Sequence, residues 1–354
     1  MRIARTLRKP VAGPAKPDFG GAAPAAVASL GRIGSLRLTL WLIALFAIAV
    51  AASYQGIAQP TWALAAPLAL LAANLAAAVA THPSFRKQSA LLVFHLALLA
   101  IIGLLAAGRL TYLKGNLELS DGQTFDGVLT ERENGPLHRD ALERVAFTNL
   151  AVSVEYAAGV RRAATVNQVR WRDARGEWRG AEIGDNAPLV IEGYRFYTTF
   201  NKGFAPQFGW TARGSTEEQR GTIHLPSYPI NQLQQALEWT PPGATRSLWT
   251  MLEIGEVLLD PDQRVTLRLP REHTLVIRAA GRRVELRPGE SHAFAEGRLR
   301  YEGLRMWMGY SVFYDWTIPW LLAACVVAVL ALAWHFGAKF LAEPWQGGDA
   351  ETAT

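Results

Sequence analysis

His95 lies seven residues into an apolar run, Ser89–Gly108 (SALLVFHLALLAIIGLLAAG), between Phe94 and Leu96 and with no carboxylate near it in the chain. An ionisable side chain inside such a run is expensive, so it is a functional candidate by default. A neutral imidazole there has two uses. It can hydrogen-bond to a neighbouring helix, or a free ring nitrogen can ligate a metal such as haem iron. At helical offsets above it stand Ile102, Gly103, Ala106 and Ala107, small enough on balance to admit a planar group or a closely packed helix. Asn74 occupies another apolar run; a neutral amide there reads as glue between helices. His82 and His335 fall at the ends of apolar runs and read as interfacial, so that three imidazoles lie toward one side.

Elsewhere the chemistry-bearing residues form no constellation. His138, His224, His273 and His292 are scattered and read as surface or packing histidines. There is no Gly-x-Ser-x-Gly, His-Glu-x-x-His, Walker loop or Cys-x-x-Cys. Cys325 is the sole cysteine, which excludes an internal disulfide and a cysteine-rich metal site. No catalytic residue is assigned on these grounds.

The elements that must position His95 are membrane spans. Crossing a hydrocarbon core of roughly 30 Å takes about 20 helical residues. Four stretches qualify: about Leu38–Tyr54, Thr61–Thr81, Ser89–Gly108 and Trp316–His335. Residues 38–108 hold only Arg86 and Lys87 as charged groups, which no soluble domain would do. Basic residues favour the cytoplasmic side. The basic N-terminal tail, the Arg86–Lys87 loop and Lys339 share one side if there are four crossings. Both termini are then cytoplasmic, and the segment 109–315 is outside. Trp62, Trp316 and Trp320 fall at the outer boundary, and Trp41, Trp334 and Trp345 nearer the inner one. His95 would lie roughly 10 Å inside the cytoplasmic boundary at 1.5 Å per residue.

The net charge of +6 does not mark a nucleic-acid protein. Residues 1–37 carry seven basic groups against Asp18 alone, and the rest of the chain is neutral. This tail, rich in Ala, Gly and Pro, reads as disordered up to about Ser29 and suits a topology signal or an anionic inner leaflet. Residues 109–315 hold 26 basic and 26 acidic groups. Alternating runs fill them: Leu150–Tyr156, Val166–Trp171, Leu189–Phe200, Thr222–Leu225, Val265–Leu269, Thr274–Ala279, Arg283–Leu286 and Leu299–Met306. Gly-containing turn signals between them predict an antiparallel β sandwich or barrel-like sheet. One helix is expected over Ile230–Glu238, and Pro241–Gly243 could divide the domain into two lobes.

The predicted organisation is an integral membrane protein with four transmembrane α-helices and a large extracytoplasmic antiparallel β-rich domain. A basic cytoplasmic tail (1–35) leads into three spans (36–108), the β-rich domain (109–315), a fourth span (316–336) and a cytoplasmic tail (337–354).

From Phe94 onward the chain reads FHLALLAIIGLLAAGRLTYLKGNLELSDGQ. A histidine-bearing span running into Lys-Gly-x-Leu-Glu-Leu-x-x-Gly resembles the ResB/CcsB family of cytochrome c biogenesis (system II) proteins. Pro188–Phe200 (PLVIEGYRFYTTF) and Leu36–Trp41 fit the same family. The resemblance implies a subunit that works with a CcsA/ResC-type membrane partner. Together they would carry haem b across a bacterial inner membrane and support its attachment to apocytochrome c. His95 matches the family's membrane histidine and would be one axial ligand to the iron, with the partner supplying the other. The chain itself would be an accessory part of the haem-attaching complex, its enzymatic status open. Lacking Cys-x-x-Cys, it would need a thioredoxin-like reductant to keep the apocytochrome thiols free. The rival reading is a membrane-anchored extracytoplasmic scaffold that binds no haem; a cytochrome b with His95 and His335 as its ligands is a third.

Overall fold

The computed structural model describes residues 25–342 apart from Asp140 and Asp185. The chain divides into two compact units. One comprises the helices up to Gly103 together with the last helix from Leu321; the other runs from Leu104 to Trp320.

The helical unit begins with α1 (Ala25–Ile33), α2 (Leu36–Tyr54), α3 (Pro60–Thr81), α4 (Pro83–Lys87) and α5 (Ser89–Thr111), and ends with α6 (Ile318–Ala342). Among the described residues, α2, α3, α5 and α6 are the four helices long and apolar enough to cross a membrane. Helix α1 corrects the expectation of an irregular tail as far as residue 35; residues 1–24 of that tail, and Trp345 with the rest of 343–354, lie outside the described residues. Helix α6 also continues past the expected end of the fourth span at residue 336.

Asn74 explains how α1 and α2 meet α3. The chain bends at Gly34–Ser35, and the bend leaves helix-end carbonyls to be satisfied. Buried Asn74 donates from Nδ2 to the carbonyls of Ile33 (2.5 Å) and Ser35 (3.4 Å), and its Oδ1 accepts from the Thr39 hydroxyl (2.7 Å). A Cβ on Gly34 would stand 2.6 Å from the Ala78 amide nitrogen, so only glycine lets the bend lie on α3. Asn74→Leu is expected to lower the stability of the detergent-solubilised protein by about 1–2 kcal/mol, read as an earlier thermal unfolding transition.

The second unit is antiparallel throughout. Its seven-stranded sheet has β1 (Leu113–Ser120) beside β16 (Gly297–Tyr314), then β8 (Tyr194–Ala212) and β7 (Leu189–Ile191). Strand β3 (Glu131–Asn134) pairs with β1, β9 (Gln219–Thr222) with β8, and β15 (Ser291–Phe294) with β16. A second sheet orders β12 (Val265–Thr266), β4 (Phe147–Ala157), β5 (Arg161–Arg172) and β6 (Trp178–Gly184), with β2 (Thr124–Phe125) on β4. A third orders β10 (Ala236–Trp239), β11 (Leu248–Ile254), β13 (His273–Ala279) and β14 (Arg282–Leu286). All three sheets contribute to one apolar core, and the strands after Pro241–Gly243 are distributed among all three, so that segment does not divide the domain into two lobes. Phe125, Phe147, Phe196 and Tyr310 meet at its centre with ring centroids 5.0–6.0 Å apart. Each such buried ring contributes about 2–3 kcal/mol of apolar burial.

Two expectations fail locally. Ile230–Glu238 is no helix: turns occupy 228–233, and Ala236–Trp239 becomes β10. The reason is tertiary. Gln235 Nε2 donates to the Pro226 and Asn231 carbonyls, its own carbonyl accepts from Leu252, and the edge of β11 takes up the following residues. The run Leu189–Phe200 is broken at Glu192–Gly193, a two-residue turn with positive φ at both positions.

A polar knot crosses the core. Asn167 Nδ2 donates to Asn149 Oδ1 (3.0 Å) and to the Tyr310 hydroxyl (2.5 Å), and Asn149 Nδ2 donates to the Leu119 carbonyl (3.2 Å). Asp121 lies at its margin, with one carboxylate oxygen buried and unpartnered among the described residues. Burial raises its pKa to about 6, against the pull of Arg305. The folded protein therefore holds a proton that the unfolded chain releases near pH 4, and stability falls as pH rises from about 4 to 6. Asp121→Asn is expected to flatten that slope and to stabilise the protein at neutral pH by about 1–2 kcal/mol, allowing for the group's part exposure. Denaturant titrations at pH 4 and 7 on the two proteins measure it.

Candidate functional site

Helix α5 follows α4 after the single residue Gln88, and α4 follows α3 after His82, which ends one helix and starts the next with Pro83 at the first helical position. This tight connection carries Phe85 up to His95. Their ring centroids are 4.6 Å apart at 61°, and Phe94 approaches the imidazole from its other neighbour position at 5.2 Å and 89°. His82 also faces Phe85, at 6.1 Å and 70°. Phe85 thus stands between two imidazoles.

The His95 ring is oriented by its own helix. Its Nδ1 lies 2.8 Å from the Leu91 carbonyl, one turn earlier. A carbonyl only accepts, so Nδ1 carries the proton, and in the neutral ring Nε2 keeps its lone pair. Nε2 has no hydrogen-bond partner among the described residues, and it is not sealed from its surroundings. This is the tautomer and the backbone bond that a metal-ligating histidine uses. Further along the same face a Cβ on Gly103 would meet nothing within 4 Å, so the helix is open there, while Ala106 is buried. One oriented nitrogen between aromatic walls is a donor set that would suit a single bond to a planar iron complex.

The other histidines divide clearly. No hydrogen bond or ring contact joins His335 to His82 or His95 among the described residues; its ring meets Phe336. In the β domain, His138 bridges the Thr111 carbonyl (2.8 Å) and the Tyr194 hydroxyl (3.0 Å). His224 bonds Glu118 (2.8 Å) and Ser120 (3.0 Å) and stacks on Trp307, while His273 bridges the Pro270 carbonyl and Tyr301. These three hold structure, as expected for packing histidines, and His292 is exposed. No group of three His, Cys, Asp or Glu side chains converges as a metal site among the described residues.

Sequence reading missed Phe85. The signal was present: Pro83 directly after His82 starts a new helix, and the next apolar residue of that helix must face back toward the bundle. It also missed the loop that closes α5. Gly135 N donates to the Tyr112 carbonyl (2.9 Å), Leu137 N to the Leu110 carbonyl (2.8 Å), and His138 to that of Thr111. The last carbonyls of the helix are thereby satisfied by a loop after β3. Asp315 caps the start of α6 by accepting from the Thr317 amide (2.9 Å) and hydroxyl (2.6 Å), and Trp316 Nε1 donates to the Thr111 hydroxyl (2.9 Å).

No curated protein matches the chain. The model of the ResB-like family matches residues 77–237, a stretch that takes in the end of α3, all of α4 and α5 with His95, and the β domain through Leu237 in β10. The residues quoted above for the resemblance fall largely within it. Residues 77–237 are therefore a ResB-like segment on a chain with four membrane-spanning helices, and ResB-like proteins are a family of cytochrome c biogenesis.

Proposed function

We propose that this chain is the subunit of a cytochrome c assembly complex that receives haem within the membrane and passes it outward, with His95 as one axial ligand to the iron. The observation that carries the reading is the Nδ1–H bond from His95 to Leu91, which leaves Nε2 as a free donor inside a ResB-like span. One imidazole gives one axial bond. A second ligand and the attachment chemistry then belong to a CcsA/ResC-type partner in the bacterial inner membrane. Much of α2 and α6 exposes large apolar side chains, including Trp41, Ile48, Leu322 and Val329, a surface that lipid and such a partner would cover. Both termini are cytoplasmic in this reading, and the β domain faces outward to meet apocytochrome c. Attachment adds each cysteine S–H across a haem vinyl group, so the thiols must arrive reduced; a thioredoxin-like protein supplies that step, since Cys325 stands alone here. The role of this chain is positioning rather than bond making. Haem spectra of the co-purified complex, with and without His95, test the assignment.

A further inference from the structure

The tip of the β domain where β15 and β16 meet carries a second candidate site, independent of His95. Strand β16 runs from Tyr314 back to Gly297, roughly 56 Å at about 3.3 Å per residue. There it turns back through Ala295–Glu296 into β15. A cleft of about 560 Å³ opens beside this hairpin, floored by Trp210, Leu248, Val284 and Phe294. Arg246, Arg282 and His292 stand at its rim. A second cavity on the other side of the hairpin adds Arg213 and Arg298.

The charges here are unbalanced. None of these four arginines forms an ion pair among the described residues, whereas their strand neighbours Arg283 and Arg300 are both paired with glutamates. The one acid on the cleft, Glu296, is engaged by the Thr245 hydroxyl (2.6 Å) and by the Thr245 and Arg246 amides, and the Arg246 charge acts on it without forming an ion pair, leaving Arg213, Arg282 and Arg298 without an acid among the described residues. In a domain whose total charge balances, this tip is cationic.

The backbone is also unsatisfied. Strand β15 pairs with β16 alone, and β14 is the outer strand of its sheet. The hairpin register places Phe294 opposite Gly297 and His292 opposite Leu299 across a two-residue turn. The closing pair of such a turn is hydrogen-bonded, and pairs then alternate. Tyr301 N donating to the Glu290 carbonyl fits that alternation. The amides of Ser291 and Ala293 therefore point away from β16, along an open edge. His292 and Phe294 share one face of the strand, the face that lines the cleft.

We propose that this tip binds an extended acidic peptide segment, which adds a strand to β15, seats apolar side chains over Phe294 and Val284, and places carboxylates against Arg246 and Arg282. Strand addition supplies affinity through main-chain bonds, and the alternate side chains supply selectivity.

Full-length protein in uncharged nanodiscs and a fluorescein-labelled peptide of alternating glutamate and valine, followed by anisotropy, test this. Binding is expected at low salt, weakening as salt rises, with the lysine–valine counterpart failing to bind. The exposed double substitution Arg246→Glu/Arg282→Glu is expected to weaken binding at least about tenfold. Ala293→Pro removes an outward amide without touching the β16 ladder and is expected to weaken it as well. Equal binding by the charge-reversed protein, equal binding of the lysine–valine peptide, or no binding at all overturns the proposal. Competition by inorganic phosphate as effective as that by unlabelled peptide would also overturn it, leaving a simple anion site.

Discussion

His95→Ala is expected to empty the assembly complex of most of its haem, and to lower the yield of c-type cytochrome by about tenfold or more, with the protein still present in the membrane. The substitution removes the one ring nitrogen in α5 that is both oriented and free. It leaves the helix intact, because alanine is the better helix former and the bond lost is a side-chain bond to a carbonyl that already serves its own helix. No neighbour can take over: His82 faces Phe85 from the other side, and His335 contacts neither. Added imidazole should restore part of the haem signal, since the side chain's departure leaves a gap of imidazole shape beside Phe85 and Phe94. Full haem content and full cytochrome yield in the alanine protein would refute the ligand role and favour a scaffold that carries no haem. A helical or aggregation defect would appear instead as loss of the protein from the membrane fraction, so the two failures are separable by immunoblot.

Gly135→Ala is expected to be the most damaging single methyl group in the β domain. A Cβ at that position would stand 2.2 Å from the Leu110 carbonyl oxygen and 2.3 Å from its carbon. Both are backbone atoms of α5, which cannot rotate aside as a side chain could. Accommodation requires the loop to lift from the helix end, and with it go the bonds from Gly135 and Leu137 amides and from His138. The helix would then present unsatisfied carbonyls, each costing about 1–3 kcal/mol. A total loss of about 3–5 kcal/mol is expected, read as rapid proteolysis at residues 134–139 and a clear fall in thermal stability. Cytochrome yield should fall in parallel with protein level, unlike the His95 case.

Much of this protein was legible in its sequence because the membrane imposes so simple a rule. Four runs of about 20 apolar residues predicted four helices, and α2, α3, α5 and α6 begin or end within a few residues of those limits except at the extended end of α6. His95 stood out for the same reason, as the one imidazole well inside such a run. The β strands were found where polar and apolar residues alternate, but their lengths were not. Strand β16 continues to Tyr314 because β1 and β8 pair with both of its edges, and Met306–Tyr310 are all buried, so the alternation that betrays a strand is lost there. Ile230–Glu238 carried helical spacing and still became turn and strand, since Gln235 and the edge of β11 offered more bonds than a short isolated helix. The cap on α5 could not have been read at all: Gly135 is ordinary in its local context, and its reason lies in a helix more than twenty residues earlier.

One further consequence follows from the pairing of β1 with β16. Leu113 lies opposite Tyr314, roughly two hundred residues later, and these are the first and last strands of the β domain. During synthesis β1 emerges early and has no central neighbour until nearly everything else has been made. The sheet that carries much of the core can therefore zip shut only when the ribosome has passed residue 314, just as α6 is about to be delivered to the bilayer. Closure of the domain and insertion of the last helix are thus placed next to each other in time, and a chain halted before β16 would expose the edge of β1 that β16 covers to proteases.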